Sequence, residues 1–175
     1  EPAGTEPVPE PPRIIVPKTP GVLADDHLAE AARKVLRFHL ARMIAREAGT
    51  RVGKDAEELH GMRVATRRQR AAWRVFGDAF DLDRTDRYRR RLKLVAGDLG
   101  GVRDLDVLIE AGEAYQRRQS AAEAKAFETL LQSWRVQRET AREVLIRELD
   151  SNRYRKWLDA YVEFLQADGV GARQV

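Results

Sequence analysis

All seven prolines lie within residues 1–20, and none follows Pro20. Proline lacks an amide hydrogen and its ring clashes with the preceding turn, so it interrupts helix interiors and central strands alike. Everything after Pro20 is free of that interruption. Its apolar residues recur at three- and four-residue spacing, and no stretch alternates with a period of two. The pattern predicts an all-α fold. Helices are expected at about 24–48, 56–77, 84–111, 119–149 and 153–166. Asp25 or Asp26 should cap the first and Gly49 should end it, while Asp55 should cap the second. Short connections imply an antiparallel bundle of four long helices plus a C-terminal helix. That bundle would span residues 22–167. Residues 1–21 read as a Pro-rich linker or arm, and 168–175 as a frayed tail. The chain opens on Glu1 and not on Met, which suits a piece of something longer.

With 175 residues, 43% of them hydrophobic, there is enough apolar material for one core. No cysteine is present, so neither a disulfide framework nor a thiolate metal site can form. This usage fits a cytoplasmic setting. No apolar run approaches the roughly 20 residues that cross a bilayer, so no membrane partner is expected. The formal net charge is +4, and the 32 basic residues comprise 26 arginines and 6 lysines. Arginine's planar fork of donors matches phosphate or carboxylate geometry bidentately, which a lysine cannot do.

The arginines are not spread evenly. In "LHGMRVATRRQR", residues 59–70, His60, Arg63, Arg67 and Arg70 fall with Arg74 on an arc of roughly 80° of a helical projection. Arg68 leaves that arc. Met62, Ala65, Ala72, Trp73 and Phe76 lie opposite, with Gln69 intruding among them. A solvated helix face usually mixes charges, with acid–base pairs at i,i+4. This arc has no acid. On the third helix Arg89, Lys93 and Arg103 share one stripe with Ala96 and Gly100, the small residues allowing a neighbouring helix or a ligand to come close. On the fourth, Arg135, Arg138 and Arg142 also share a side. Three such stripes would converge on one basic groove suited to an extended polyanion.

Other constellations carry less. Asp104 and Asp106 read as ion-pair partners that orient Arg103 or its basic neighbours. Asp78, Asp81 and Asp83 flank a loop without the glycine of a calcium site. His27 and His39 have no ligand partner at metal spacing. No P-loop, nucleophile elbow or dinucleotide-binding turn is present. No metal, cofactor or catalytic group is therefore expected.

The stretches "EELHGMRVATRRQRAAWRVF" and "RLKLVAGDLGGVRDLDVL" closely resemble the CHAD domain, the conserved histidine α-helical domain. The family pattern His-x-x-Arg-Val-x-x-Arg-Arg-x-Arg stands at His60–Arg70. Leu-Lys-x-x-Ala, then Leu-Gly-x-x-Arg-Asp-x-Asp, stands at Leu92–Asp106. "AREVLIRELDSNRYRKWLDA" is similar to the family's fourth helix. The resemblance covers about residues 24–166. It implies non-enzymatic binding of inorganic polyphosphate in a basic groove or pore, with association with polyphosphate granules. It also implies an upstream triphosphate-processing CYTH-type domain, for which the Pro-rich arm would be the linker. Carried over by position, His60, Arg63, Arg67 and Arg70 would line the site from the second helix, and Arg89 and Lys93 from the third. Arg74, Arg103, Arg138 and Arg142 join them on the stripe argument. The family fold has two helical halves, whereas only one motif helix occurs here. The chain thus looks like the N-terminal half, either a fragment or one member of a homodimer. Two other readings remain open: a nucleic-acid-binding helical protein, and an accessory module of an upstream phosphohydrolase.

Overall fold

A computed structural model describes residues 15–173; most of the Pro-rich arm and the last two residues fall outside the described residues. The chain forms α1 (Leu28–Val52), α2 (Ala56–Phe76), a short 3-10 turn (Gly77–Ala79), α3 (Leu82–Gln116), α4 (Ala121–Asp150) and α5 (Asn152–Gln166). The expected all-α bundle is what folds. α1 packs along α2 and α3 along α4, while α2 and α3 meet between these two pairs and α5 closes the end of the bundle.

The helix ends follow from particular side chains. Asp55 caps α2 by accepting from the Glu57 amide at 2.9 Å. Ser120 and Glu123 cap α4 reciprocally, each side chain bonding the other's backbone amide. α1 departs from expectation at both ends. Asp26 instead binds the Leu23 amide and Lys34, and the helix begins after His27. Gly49 does not stop it: the missing side chain leaves room for Glu58, which a Cβ there would meet at 2.4 Å. The helix ends at Gly53, whose φ of 71° is the left-handed conformation that glycine adopts without strain. α3 also runs past its expected end, to Gln116.

The core is continuous from Leu36, Leu40 and Met43 of α1, through Met62 and Trp73 of α2 and Leu92, Val95 and Leu99 of α3, to Tyr154, Tyr161 and Leu165 of α5. Gln69, the polar intruder, is fully buried, with its amide 3.5 Å from the Met43 sulfur. One end of the core is aromatic. Tyr88 stacks on Tyr161 and Phe164 at 5.2 and 5.0 Å, and Phe80 meets Trp73 at 5.4 Å. Arg33 reaches this cluster, lies over Phe80 and Phe164, and donates to the Val170 carbonyl. The tail is accordingly ordered through Arg173. The Asp81 amide donates to Gly171 and the Arg173 amide to Ala79, each at 2.9 Å. Residues 168–173 are thus bound to the turn after α2 and not frayed.

Among the described residues, nothing approaches Gly97, Gly100 or Gly101 of α3 closely. A Cβ at Gly97, Gly100 or Gly101 would have open space around it, whereas one at Gly112 would lie 2.7 Å from Leu131 and 2.8 Å from Trp134. Gly97→Ala should therefore stabilise the protein by about 1 kcal/mol through helix propensity alone. Gly112→Ala should destabilise it by prying α3 from α4. Urea denaturation of the two variants measures both, and equal shifts would contradict the packing described.

Candidate functional site

α2 has two characters because its residues do. Met62, Ala65, Thr66, Gln69, Ala72 and Trp73 are buried on one side. Arg67, Arg68, Arg70 and Arg74 are exposed on the other, with His60 and Arg63 half-buried. Beside its C-terminal half, α2 and the start of α3 bound a groove of about 490 Å³. Arg70 and Arg74 line it from α2, and Arg89, Arg90 and Lys93 from α3, with Asp83 and Asp86 at the edge. Asp86 is taken by Arg90 at 2.5 Å. Among the described residues, Arg70, Arg74, Arg89 and Lys93 make no ion pair or hydrogen bond. Four cations without ion-pair partners thus share one cavity with Asp83, whose carboxylate is likewise unpaired, and with the Arg90–Asp86 pair, leaving positive charge in excess.

The other expected site residues are placed differently. Arg67 continues the exposed face of α2 and is likewise without a partner among the described residues. Arg63 approaches Asp104 at 3.9 Å, with the carboxylate largely exposed. Such a pair contributes little and yields easily to a stronger anion. Arg103 is half-buried on α3 and is not held by its neighbouring acids. Asp104 and Asp106 do serve as ion-pair partners, for Arg63 and Arg138 respectively.

The stripe on the fourth helix does not join the groove. Arg138 bonds Asp106 at 2.9 Å and Glu139 at 2.7 Å. Arg135 bonds Glu113 and Glu128. Arg142 donates to the carbonyls of Thr50 and Arg51 at 3.1 and 2.5 Å, satisfying the end of α1. The room for it comes from Gly53, where a Cβ would sit 2.6 Å from the guanidinium carbon. The expected convergence of three stripes is therefore a convergence of two, because the α4 arginines are spent on acids and carbonyls of the fold.

His60 also departs from its arc. It lines a cleft between α1 and α2, with His39, Arg42 and Arg46 of α1 and Arg68 of α2. His39, Arg42 and Arg46 of α1 carry no metal-ligand spacing and belong to no motif in the sequence. Their positions, three and four residues apart, put them on one face of α1, and that was the available signal. Burial, then repulsion from Arg68 and Arg42, holds the His39 ring below the usual histidine pKa. Among the described residues, no group of three or more His, Cys, Asp or Glu is placed to hold a metal, and no helix is long and apolar enough to cross a membrane.

A family model described as the CHAD domain matches residues 34–174. No curated protein matches the chain.

The lowered His39 pKa has a consequence for stability. Below the unfolded value of about 6.5 the unfolded chain takes up a proton that the folded state resists. This contribution therefore destabilises the fold as pH falls from about 6.5 through the folded pKa, and is absent above it. An NMR titration of the His39 ring should give a midpoint below 6.5. Arg68→Ala should raise that midpoint, and an unchanged value would contradict the assigned repulsion.

Proposed function

The chain belongs to the CHAD domain family, and on that premise we propose that it binds inorganic polyphosphate along the basic face shared by α2 and α3. The observation that carries this reading is the groove itself, where Arg70, Arg74, Arg89 and Lys93 converge without ion-pair partners and outnumber its acids, Asp83 and the Arg90-bound Asp86. Arg63 and Arg67 extend the same face along α2, with Arg103 beside it on α3. A polyphosphate offers one charge per residue at close spacing, so successive phosphates can be met by successive arginines. Each contact is a charge-assisted hydrogen bond with release of counterions.

The character of the groove favours this ligand over a nucleic acid. Bases need a flat face to stack on or donors and acceptors to read. The aromatic residue in the groove is Trp73, only 2% exposed, and its indole N–H is already used by the Tyr161 hydroxyl at 2.8 Å. The groove presents guanidinium and ammonium groups, with the Asp83 and Asp86 carboxylates beside them, and among its lining residues no exposed aromatic face. The role is one of binding and not turnover, and association with polyphosphate granules follows from it.

Arg63 and Arg67 are the right pair to test, because neither supports the core. Reversing both to Glu should lower affinity for long-chain polyphosphate at least about 100-fold, each lost charge-assisted bond counting for about 1.5–3 kcal/mol. Titration calorimetry at fixed salt measures it, with circular dichroism to show that the variant is folded. Unchanged binding by a folded double variant would refute the assignment of the site.

A further inference from the structure

α3 keeps an unpartnered face on the side away from the core. Leu94, Gly101, Leu108 and Tyr115 stand seven residues apart, and Gly97, Asp104 and Ala111 fall between them on the same side. All seven are exposed. Leu94, Leu108 and Tyr115 are 55, 40 and 49% exposed, and Val107 beside them is 47% exposed. A row that recurs every seven residues is the seam by which one helix packs along another, and a contiguous exposed apolar row marks an interaction surface. The chain keeps Gly97, Gly100 and Gly101 along this face although a Cβ at any of them would meet open space. Each costs about 1 kcal/mol of helix stability relative to alanine. Nothing among the described residues uses the close approach that they permit.

The order of large and small residues along the row says what fits there. A second α3 laid antiparallel, with a two-fold axis passing beside Val102 and Arg103, sets Leu108 over Gly97, Val107 over Gly100 and Leu94 over Ala111. Every large side chain then meets a small one. The charges agree with the same arrangement. Lys93 and Glu110 are both exposed, and neither has an ion-pair partner among the described residues. They lie almost equally far to either side of the axis, so each lysine falls near the other copy's glutamate. Near the axis Arg103 is uncommitted, and Asp104 is held only by Arg63 at 3.9 Å. These two also meet across it. A parallel pair sets lysine against lysine, glutamate against glutamate and glycine against glycine. Exposed charge pairs fix orientation and register more than they add affinity.

We propose that the exposed face of α3 is a self-complementary interface, on which a second copy of this chain docks its own α3 antiparallel. From Leu94 to Tyr115 the face is roughly 30 Å long. One helix pair of that length buries less than a permanent dimer does, so the association is reversible, with a dissociation constant on the order of 10 μM. The pairing does not rest on the polyphosphate reading of the groove. It is measured without any polyanion, so either can fail alone.

Sedimentation equilibrium of the chain in phosphate-free buffer, from about 1 to about 500 μM, should show monomer passing into dimer. Leu108→Asp should raise the dissociation constant at least about 30-fold. Gly97→Ala, which should stabilise the isolated chain, should nevertheless weaken the pair at least about fivefold, because its methyl takes the space of Leu108. Both positions are exposed, so neither variant disturbs the core. Orientation is read with introduced cysteines, since the chain has none. Mixed under oxidising conditions, Leu94→Cys and Ala111→Cys should give the mixed disulfide in excess over either homodisulfide, because bonding needs the two Cβ atoms within about 4.5 Å. Val136→Cys, exposed on α4, is the control and should stay free. A monomer throughout the concentration range overturns the proposal. So does a dimer that Leu108→Asp and Gly97→Ala both leave unchanged, since it would use another surface. Homodisulfides of Leu94→Cys that match the mixed product indicate a parallel pair and overturn it equally.

Discussion

The hydrogen bond from the Trp73 indole to the Tyr161 hydroxyl, 2.8 Å long and wholly buried, ties α2 to α5 at the point where the aromatic residues gather. Burial pushes the Tyr161 pKa up, so the hydroxyl stays neutral and stays a partner. Around this bond stack Tyr88 of α3, Phe164 of α5 and Phe80 of the connecting turn. The cluster fixes the roll of α2 about its own axis. Once Trp73 is held inward, Arg74 lies about 100° round the helix from it and Arg70 about 60° round on the same side, at the margin of the buried face beside α3. The basic face is thus set by the apolar one.

That dependence also accounts for the electrostatics. Like charges on one helix face repel, and a fold that wanted only stability would interleave acids. Here the acids are used elsewhere. Glu47 is buried between Arg51 and the Tyr154 hydroxyl, Glu148 pairs with Arg91, and Asp106 holds Arg138. These pairs join α1, α3, α4 and α5 to one another. They leave α2 with Asp104, at 3.9 Å from Arg63. The apolar core and the remote ion pairs offset the repulsion that the α2 face retains, and that face keeps its capacity for an anion.

How far the sequence disclosed this varies by element. α2 was legible in full, because its core residues and its arginines recur at helical spacing within one uninterrupted segment and Asp55 marks its start. The C-terminal end of α1 was not, because Glu58 fills the space at Gly49 and Arg142 the space at Gly53; its start was missed because Asp26 is taken by the Leu23 amide and Lys34. The α4 stripe misled for the same reason. A projection shows that Arg135, Arg138 and Arg142 share a side, but Glu113, Asp106 and the carbonyls of α1 come from distant segments. The α1/α2 cleft was hidden because half of it, His39, Arg42 and Arg46, sits on a helix with no recognisable motif. Gly97, Gly100 and Gly101 of α3 raised an expectation of close approach that nothing among the described residues fulfils, whereas Gly112 does admit Leu131 and Trp134.

The α2/α3 groove presents basic groups while the aromatic residue in its lining, Trp73, is buried. Competition at matched total charge and constant salt addresses this most directly, with labelled DNA bound first and long-chain polyphosphate added, and the reverse. Polyphosphate should displace the DNA at substoichiometric charge, and DNA should fail to displace polyphosphate. Displacement that is equal in both directions, or that favours DNA, would contradict the central claim.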